Sequence, residues 1–266
     1  PGPERQGSPL MLSIQHLDKR FGGVHATRDV SIDFPEGSLT AIIGPNGAGK
    51  TTFFNLISGA LRPDSGKVLF EGRDIVGKSS VEVVRLGMAR AFQVAAMFPT
   101  LTVRQALTAA VTSHRRQSWT WLKRFPLAGT TEAADEIIEL LGLQARAGTL
   151  SRNLSHGDQK LLDIGLALAM RPKVLLLDEP TAGMGPDERW RMIGKVQQLW
   201  RARAMTVLFI EHDMDIVFKI AQTIHVLKYG AVLAQGTPEQ IRSNQDVIDA
   251  YLGSDHRLAQ AAGEAG

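Results

Sequence analysis

Residues 44–52 read GPNGAGKTT, and what flanks them decides the fold. Upstream lies LTAIIG (39–44), a continuous apolar run of the kind expected of a strand buried on both faces. Downstream lies KTTFFNLISGAL (50–61), whose apolar residues suit a helix closed by Gly59. Strand, glycine-rich loop and helix, in that order, are the context in which G-x-x-x-x-G-K-[ST] signifies phosphate binding. Glycines let the main chain curl until its N–H groups face phosphate oxygens, and the helix N-terminus adds positive potential. Gly44, Pro45, Asn46, Gly47, Ala48, Gly49, Lys50, Thr51 and Thr52 are therefore the expected cradle for nucleotide phosphates. Lys50 would reach the β- and γ-phosphates, and the Thr51 hydroxyl would ligate Mg²⁺.

Outward from the loop, LSIQHLDKRF (12–21), HATRDVSIDF (25–34) and VLF within DSGKVLFEG (64–72) read as strands. From about 79 to 170 the chain turns mostly helical, with apolar residues three and four apart in VRQALTAAVTSH (103–114) and EAADEIIELLGL (132–143). Strand–helix alternation then returns: VLLLDEP (174–180), DERWRMIGKVQQLWRAR (187–203), MTVLFIEHD (205–213), DIVFKIAQT (215–223) and a hairpin in TIHVLKYGAVLAQG (223–236). Such alternation argues for a parallel α/β core, with the helical middle as an inserted subdomain.

Composition narrows the functional classes. With 30 Lys+Arg against 27 Asp+Glu the net charge is only +3, too even to argue for a nucleic-acid partner. The absence of cysteine excludes disulfides and thiolate metal sites. No run approaches the ~18–20 continuous apolar residues of a membrane-spanning helix. The opening PGPERQGSPL has no apolar signal core, so residues 1–10 read as a tag or disordered tail, and 255–266 as a flexible C-terminal tail. Between them, 11–254 reads as a single domain with its helical subdomain at about 95–170.

Two further stretches carry chemistry. VLLLDEP is a buried strand whose C-terminal edge presents Asp178 and Glu179, the edge at which α/β sheets hold ligands. Asp178 suits Mg²⁺, through water, and Glu179 suits polarisation of an attacking water. LSHGDQK (154–160) places a serine, a histidine and an aspartate close together, but sequence neighbours on a helix point apart, and no G-x-S-x-G elbow surrounds Ser155. A hydrolytic triad is set aside. Ser155 instead caps a helix with Asp158 as the other half of a capping box, leaving an anion-binding N-terminus over Gly157.

The order of these motifs, followed by His212 at the end of the next strand, resembles that of the ATP-binding cassette (ABC) ATPases, over essentially all of 12–253. The resemblance implies a P-loop NTPase core with a parallel sheet, an antiparallel β-subdomain and a helical subdomain. It implies ATP and Mg²⁺ as cofactors. Phe21, with Val24 contributing, would stack on adenine. Gln93 of AFQ would sense Mg²⁺ and couple to a transport partner, and His212 of IEHDM would contact the γ-phosphate. LSHGDQ stands for the family's signature, normally Leu-Ser-Gly-Gly-Gln, so His156 and Asp158 are departures; Gly185 in TAGMGPDE stands where an aspartate is usual. In this family the signature faces ATP held by another cassette, so a second ATPase subunit, identical or homologous, is implied as an ATP-dependent partner.

RAFQ, NLSHGDQKLLDIG, EPTAGM and the tail GTPEQIRSNQDVIDAYLG resemble most closely the larger ATPase of the branched-chain amino-acid importers. That resemblance implies two integral-membrane permeases, a solute-binding protein acting indirectly, and a peripheral place on the cytoplasmic face of the bacterial inner membrane. Relatives also take up urea, short amides and aromatic acids. Lipopolysaccharide-export ATPases have similar tails but keep both signature glycines; a soluble ABC ATPase of translation or DNA repair would carry two cassettes or a long coiled coil. A non-enzymatic nucleotide-binding module would lack Lys50 or Glu179. Arg115, Arg116, Trp119, Trp121, Lys123 and Arg124 form an aromatic, basic segment that could meet lipid headgroups or a permease.

Overall fold

The structure, a computed structural model, describes residues 9–91, 98–114 and 129–251. Its strands are β1 (Leu10–Phe21), β2 (Val24–Pro35), β3 (Leu39–Ile43), β4 (Ser65–Phe70), β5 (Arg73–Asp74), β6 (Met88–Ala91), β7 (Val174–Asp178), β8 (Thr206–Ile210), β9 (Thr223–Lys228) and β10 (Ala231–Gly236). The helices are α1 (Lys50–Ile57), α2 (Ser80–Leu86), α3 (Val103–His114), α4 (Thr130–Leu141), α5 (His156–Leu168), α6 (Pro186–Arg203), α7 (Met214–Ile220) and α8 (Pro238–Arg242). They divide into two compact units: the chain up to Ser80 together with Thr206 onward, and Val81–Met205.

In the first unit, β3 lies between β8 and β9, parallel to both, and β10 pairs antiparallel with β9. All five residues of β3 and of β8 are buried, which accounts for the unbroken apolar runs in the sequence. Helix α1 buries Phe53, Phe54, Leu56 and Ile57, each fully buried aromatic contributing about 2–3 kcal/mol. A second, antiparallel sheet runs β2-β1-β4-β5. Its Phe34 meets the ring of His225 edge-on at 5.5 Å between centroids. His225 is 3 % exposed, and burial pushes its pKa down to about 4 against the opposing pull of Asp33, so its ring is neutral near pH 7.

In the second unit, α3, α4 and α5 pack together, and β6 pairs parallel with β7. Gly165 is the close-approach point of the three helices. A Cβ there would stand 2.7 Å from Leu141 Cδ1 and 3.1 Å from Leu107 Cδ2, closer than packed carbons come. Strand β6 is the exception in the mostly helical stretch from about 79 to 170, and it precedes the helical subdomain expected at about 95–170. Met-Ala-Arg-Ala favours helix by intrinsic propensity, and its ladder with Val174–Leu177 overrides that preference. β1 begins at Leu10, inside the stretch read as tail, and the Pro9 carbonyl accepts from Glu36 N at 2.9 Å. The basic segment 115–124 and the last residues from 252 lie outside the described residues.

Candidate nucleotide site

The residues singled out from the sequence fall into two sets, one in each unit. In the first, the loop between β3 and α1 is held against its surroundings by backbone alone. Gly44 and Gly49 adopt φ of 150° and 98°, and a Cβ at either would collide with a carbonyl oxygen, of Leu227 and Ala26 respectively. Only glycine fits these two positions. Ala48 N donates to Pro45 O at 3.1 Å, and Gly230 N, from the β9–β10 turn, donates to Ala48 O at 3.1 Å. The loop is therefore curled before any ligand arrives. Lys50 is 7 % exposed; its ammonium donates to Gly44 O at 2.7 Å and to Pro45 O at 3.1 Å, which aims it into the curl. Thr51 is exposed and Thr52 half-buried at the start of α1, a helix with no acidic residue in its first turn to offset its positive end.

Phe21 and Val24 are directly paired across the tip of the β1–β2 hairpin and are 47 % and 66 % exposed. Lys19 Nζ stands 5.6 Å from the Phe21 ring centre. An exposed aromatic face of this kind is suited to stacking on a planar base. His212 follows β8; its N–H donates to the buried Glu211 carboxylate at 3.1 Å, and Asp213 beside it caps α7 through Asp215 N at 3.1 Å. Nothing in the sequence pointed to Tyr251. The Gly44 N–H donates to its hydroxyl, and burial pushes that hydroxyl's pKa up to about 12 although the Gly44 bond pulls the other way. The C-terminal segment thus touches the first residue of the phosphate loop.

In the second unit, Asp178 ends β7 and accepts a 2.5 Å bond from Arg90 Nη2 on β6. The two side chains are 21 % and 8 % exposed, so this is a largely buried ion pair. It fixes the carboxylate at the strand edge, beside a cavity of only about 20 Å³ lined by Lys160, Asp163 and Leu177 among others. The stretch RAFQ draws attention to Gln93, yet Gln93 lies outside the described residues, and Arg90 is the partner that the strand pairing reveals. Glu179 has φ 48°, a left-handed conformation costing a side-chain-bearing residue roughly 1–2 kcal/mol. Its carbonyl accepts from Ala182 N at 3.2 Å, which closes the loop that follows.

The signature stretch behaves as a capped helix. Ser155 Oγ accepts from Asp158 N at 3.1 Å, but the Asp158 carboxylate turns to Arg146 Nε at 3.6 Å, so it does not complete the box anticipated from sequence. Gly157 is buried under the Glu188 carboxylate, and His156 Nε2 bonds to Ala182 O at 3.0 Å.

These donors suit MgATP chemically. Thr51 and Asp178 are hard oxygen groups of the kind Mg²⁺ prefers, while the phosphates need the N–H-lined curl and the Lys50 ammonium. Among the described residues there is no cluster of three His, Asp or Glu side chains able to hold a metal alone, so a metal here would lean on nucleotide oxygens and water.

The comparisons agree with the geometry. Residues 27–182 match the ABC transporter family, and 231–257 match a family described as branched-chain amino acid ATP-binding cassette transporter. The high-affinity branched-chain amino acid transport ATP-binding protein LivG of Salmonella typhimurium is 37 % identical over 252 residues, covering 92 % of this chain and 99 % of that protein. A probable LivG of Archaeoglobus fulgidus is 38 % identical over 249 residues, covering 92 % and 96 %. The crystal structure of the ADP conformation of an ATP-binding cassette of an ABC transporter superposes with TM-score 0.81 at 33 % identity, covering 92 % of this chain and 99 % of that one. Phosphate loop, acid-ended strand and capped signature helix, carried on a chain this similar along its whole length, place it in the ABC transporter family, among the ATP-binding subunits related to those of branched-chain amino-acid transport.

Proposed function

We propose that this chain is the ATP-hydrolysing motor of an ABC importer for branched-chain amino acids or related small polar solutes such as urea, amides or aromatic acids. The observation that carries the reading is the pre-curled loop with the Lys50 ammonium aimed into it, on a chain 37 % identical to a LivG protein over nearly its full length. The curated relatives that match along the chain, proteins of branched-chain amino acid transport, support an importer over an exporter, and the match of 231–257 accords with it.

Phe21 and Val24 stack the base. The amides from Gly44 to Thr52 and the Lys50 ammonium bind the phosphates and draw off the negative charge that builds up as the γ-phosphoryl group is transferred. Glu179 orients the attacking water, and His212 hydrogen-bonds the γ-phosphate. Mg²⁺, when bound to the nucleotide, supplies charge neutralisation, with Thr51, Asp178 and Gln93 as its protein-side groups. Ser155, Gly157 and Asp158 present the N-terminus of α5 to ATP held by a second cassette, the same chain or a homologue, so each ATP is enclosed only in the dimer. Closure and reopening of that dimer drive two integral-membrane permeases, to which a solute-binding protein delivers the solute. The chain works as a peripheral subunit on the cytoplasmic face of the bacterial inner membrane and takes no nucleic acid.

Replacing Glu179→Gln leaves ATP binding intact, slows hydrolysis at least about 100-fold and accumulates a closed dimer on a sizing column. Turnover near the wild-type rate would place the base elsewhere. Co-purification from native membranes brings two permeases and a second ATPase; recovery of ribosomal or DNA-repair proteins alone would overturn the transport assignment.

A further inference from the structure

His156 stands where the ABC signature has a glycine, and the structure gives its side chain a specific partner. Its Nε2 lies 3.0 Å from the carbonyl oxygen of Ala182, 26 residues away. A carbonyl only accepts, so the imidazole carries its proton on Nε2 and donates. The main chain of the same residue is engaged a second time, through the preceding peptide, because Ala182 N donates to the carbonyl of Glu179 at 3.2 Å. Two consecutive bonds thus run from the first residue of α5 to the main chain of Glu179. That main chain is in the left-handed region, with φ 48°, where a glutamate stays only if its surroundings hold it.

The rest of the loop is built for the same end. Met184 N donates to Thr181 O at 3.2 Å, and Arg189 Nε donates to Met184 O at 2.8 Å, tying the loop to α6. Gly183, at φ 78°, passes so close to the imidazole that a Cβ there would stand 3.2 Å from Nε2. The exposed His156 ring thus lies along the loop, held by the Ala182 carbonyl, and a glycine in its place makes neither contact.

We propose that His156 is a positioning residue for Glu179, acting through the main chain of Ala182. The proposal rests on the assignment of Glu179 as the group that orients water. It adds that the signature turn, which meets the ATP of a second cassette, is hydrogen-bonded to the loop that sets the base of its own cassette. Phosphate docking on α5 is thereby communicated to Glu179 within one chain. This is a route between two ATP sites that a signature glycine does not provide.

The test compares full-length wild type, His156→Ala and His156→Gln, since the Gln amide also donates at similar reach. Hydrogen exchange of the nucleotide-free proteins reads the connection directly. In His156→Ala the amides of 181–184, those of Ala182 and Met184 among them, exchange faster, by about tenfold, the ordering of one hydrogen bond; in His156→Gln they stay near wild type. Steady-state hydrolysis reads the consequence: kcat falls about tenfold in His156→Ala with KM for ATP within about twofold, and His156→Gln recovers most of it. Unchanged exchange in His156→Ala overturns the proposal whatever the role of Glu179, because this readout involves no catalysis. Faster exchange with unchanged kcat, or a Gln variant as impaired as Ala, overturns it too. If Glu179→Gln hydrolyses ATP normally while exchange responds as expected, it is the base assignment that has failed.

Discussion

The contact between Gly157 and Glu188 yields a prediction whose sign can be made to invert. A Cβ at Gly157 would overlap the Glu188 Oε1, stand 2.9 Å from its Cδ and 3.3 Å from its Cγ. Packed carbons rest at about 3.5–4.0 Å, so the carboxyl carbon has to withdraw by more than about 0.5 Å, and the oxygen further. Such overpacking costs about 1–3 kcal/mol. Against it stands the gain from replacing glycine by alanine within a helix, about 1 kcal/mol. Gly157→Ala alone is therefore neutral to destabilising by about 2 kcal/mol. In a Glu188→Ala background the obstruction is absent and only the helix gain remains, so the same substitution becomes stabilising by about 0.5–1 kcal/mol. Chemical denaturation of the four proteins in the cycle measures the coupling, expected at 1 kcal/mol or more in magnitude. Strict additivity would refute the packing argument. The methyl is added in the first turn of α5, the turn proposed to meet the ATP of a second cassette, so Gly157→Ala is expected to lower ATP-driven dimer formation in both backgrounds, even where the fold is stabilised.

Two further predictions follow from buried charge. Arg90→Met leaves the Asp178 carboxylate without its guanidinium; a loss of about 2–4 kcal/mol is expected, allowing for the part of Asp178 that water reaches. Millimolar Mg²⁺ restores some of it, and thermal denaturation in EDTA and in Mg²⁺ measures both; an unchanged Tm would show the pair contributes nothing. His225 has a folded pKa of about 4 against an ordinary 6.5, so the unfolded chain takes up the proton first. Stability is lost as pH falls through that window, by up to about 3 kcal/mol. In urea titrations between about pH 7 and 4, His225→Gln flattens this dependence relative to wild type, and parallel slopes would exclude His225 as its source.

What could be read in advance was what the chain states locally. The run LTAIIG announces a strand because every residue of it is buried, and VRQALTAAVTSH coincides with α3 because its periodicity marks one packed face. Ser155 announces its own cap. Contacts set by tertiary pairing could not be read. Met88–Ala91 is a strand only because β7 lies beside it, and so Arg90, within RAFQ, gave no sign that it bonds Asp178, 88 positions away in sequence. Tyr251 reaches Gly44 across the whole chain. His156 was visible as a departure from the signature, but not the carbonyl it bonds to.

Gly165 has a mechanical consequence. Helix α5, 13 residues and about 20 Å long, begins at the turn proposed to meet phosphate and is gripped near its far end, where Leu107 and Leu141 close on the bare Cα of residue 165. A rod clamped in a close-packed medium cannot absorb a push by compression. A nudge of an ångström at its tip must therefore swing or carry α3 and α4 with it, which makes the glycine the fulcrum of a lever and fixes its arm at most of the helix length. Filling that fulcrum with a larger side chain would loosen the grip and turn a rigid stroke into local slack.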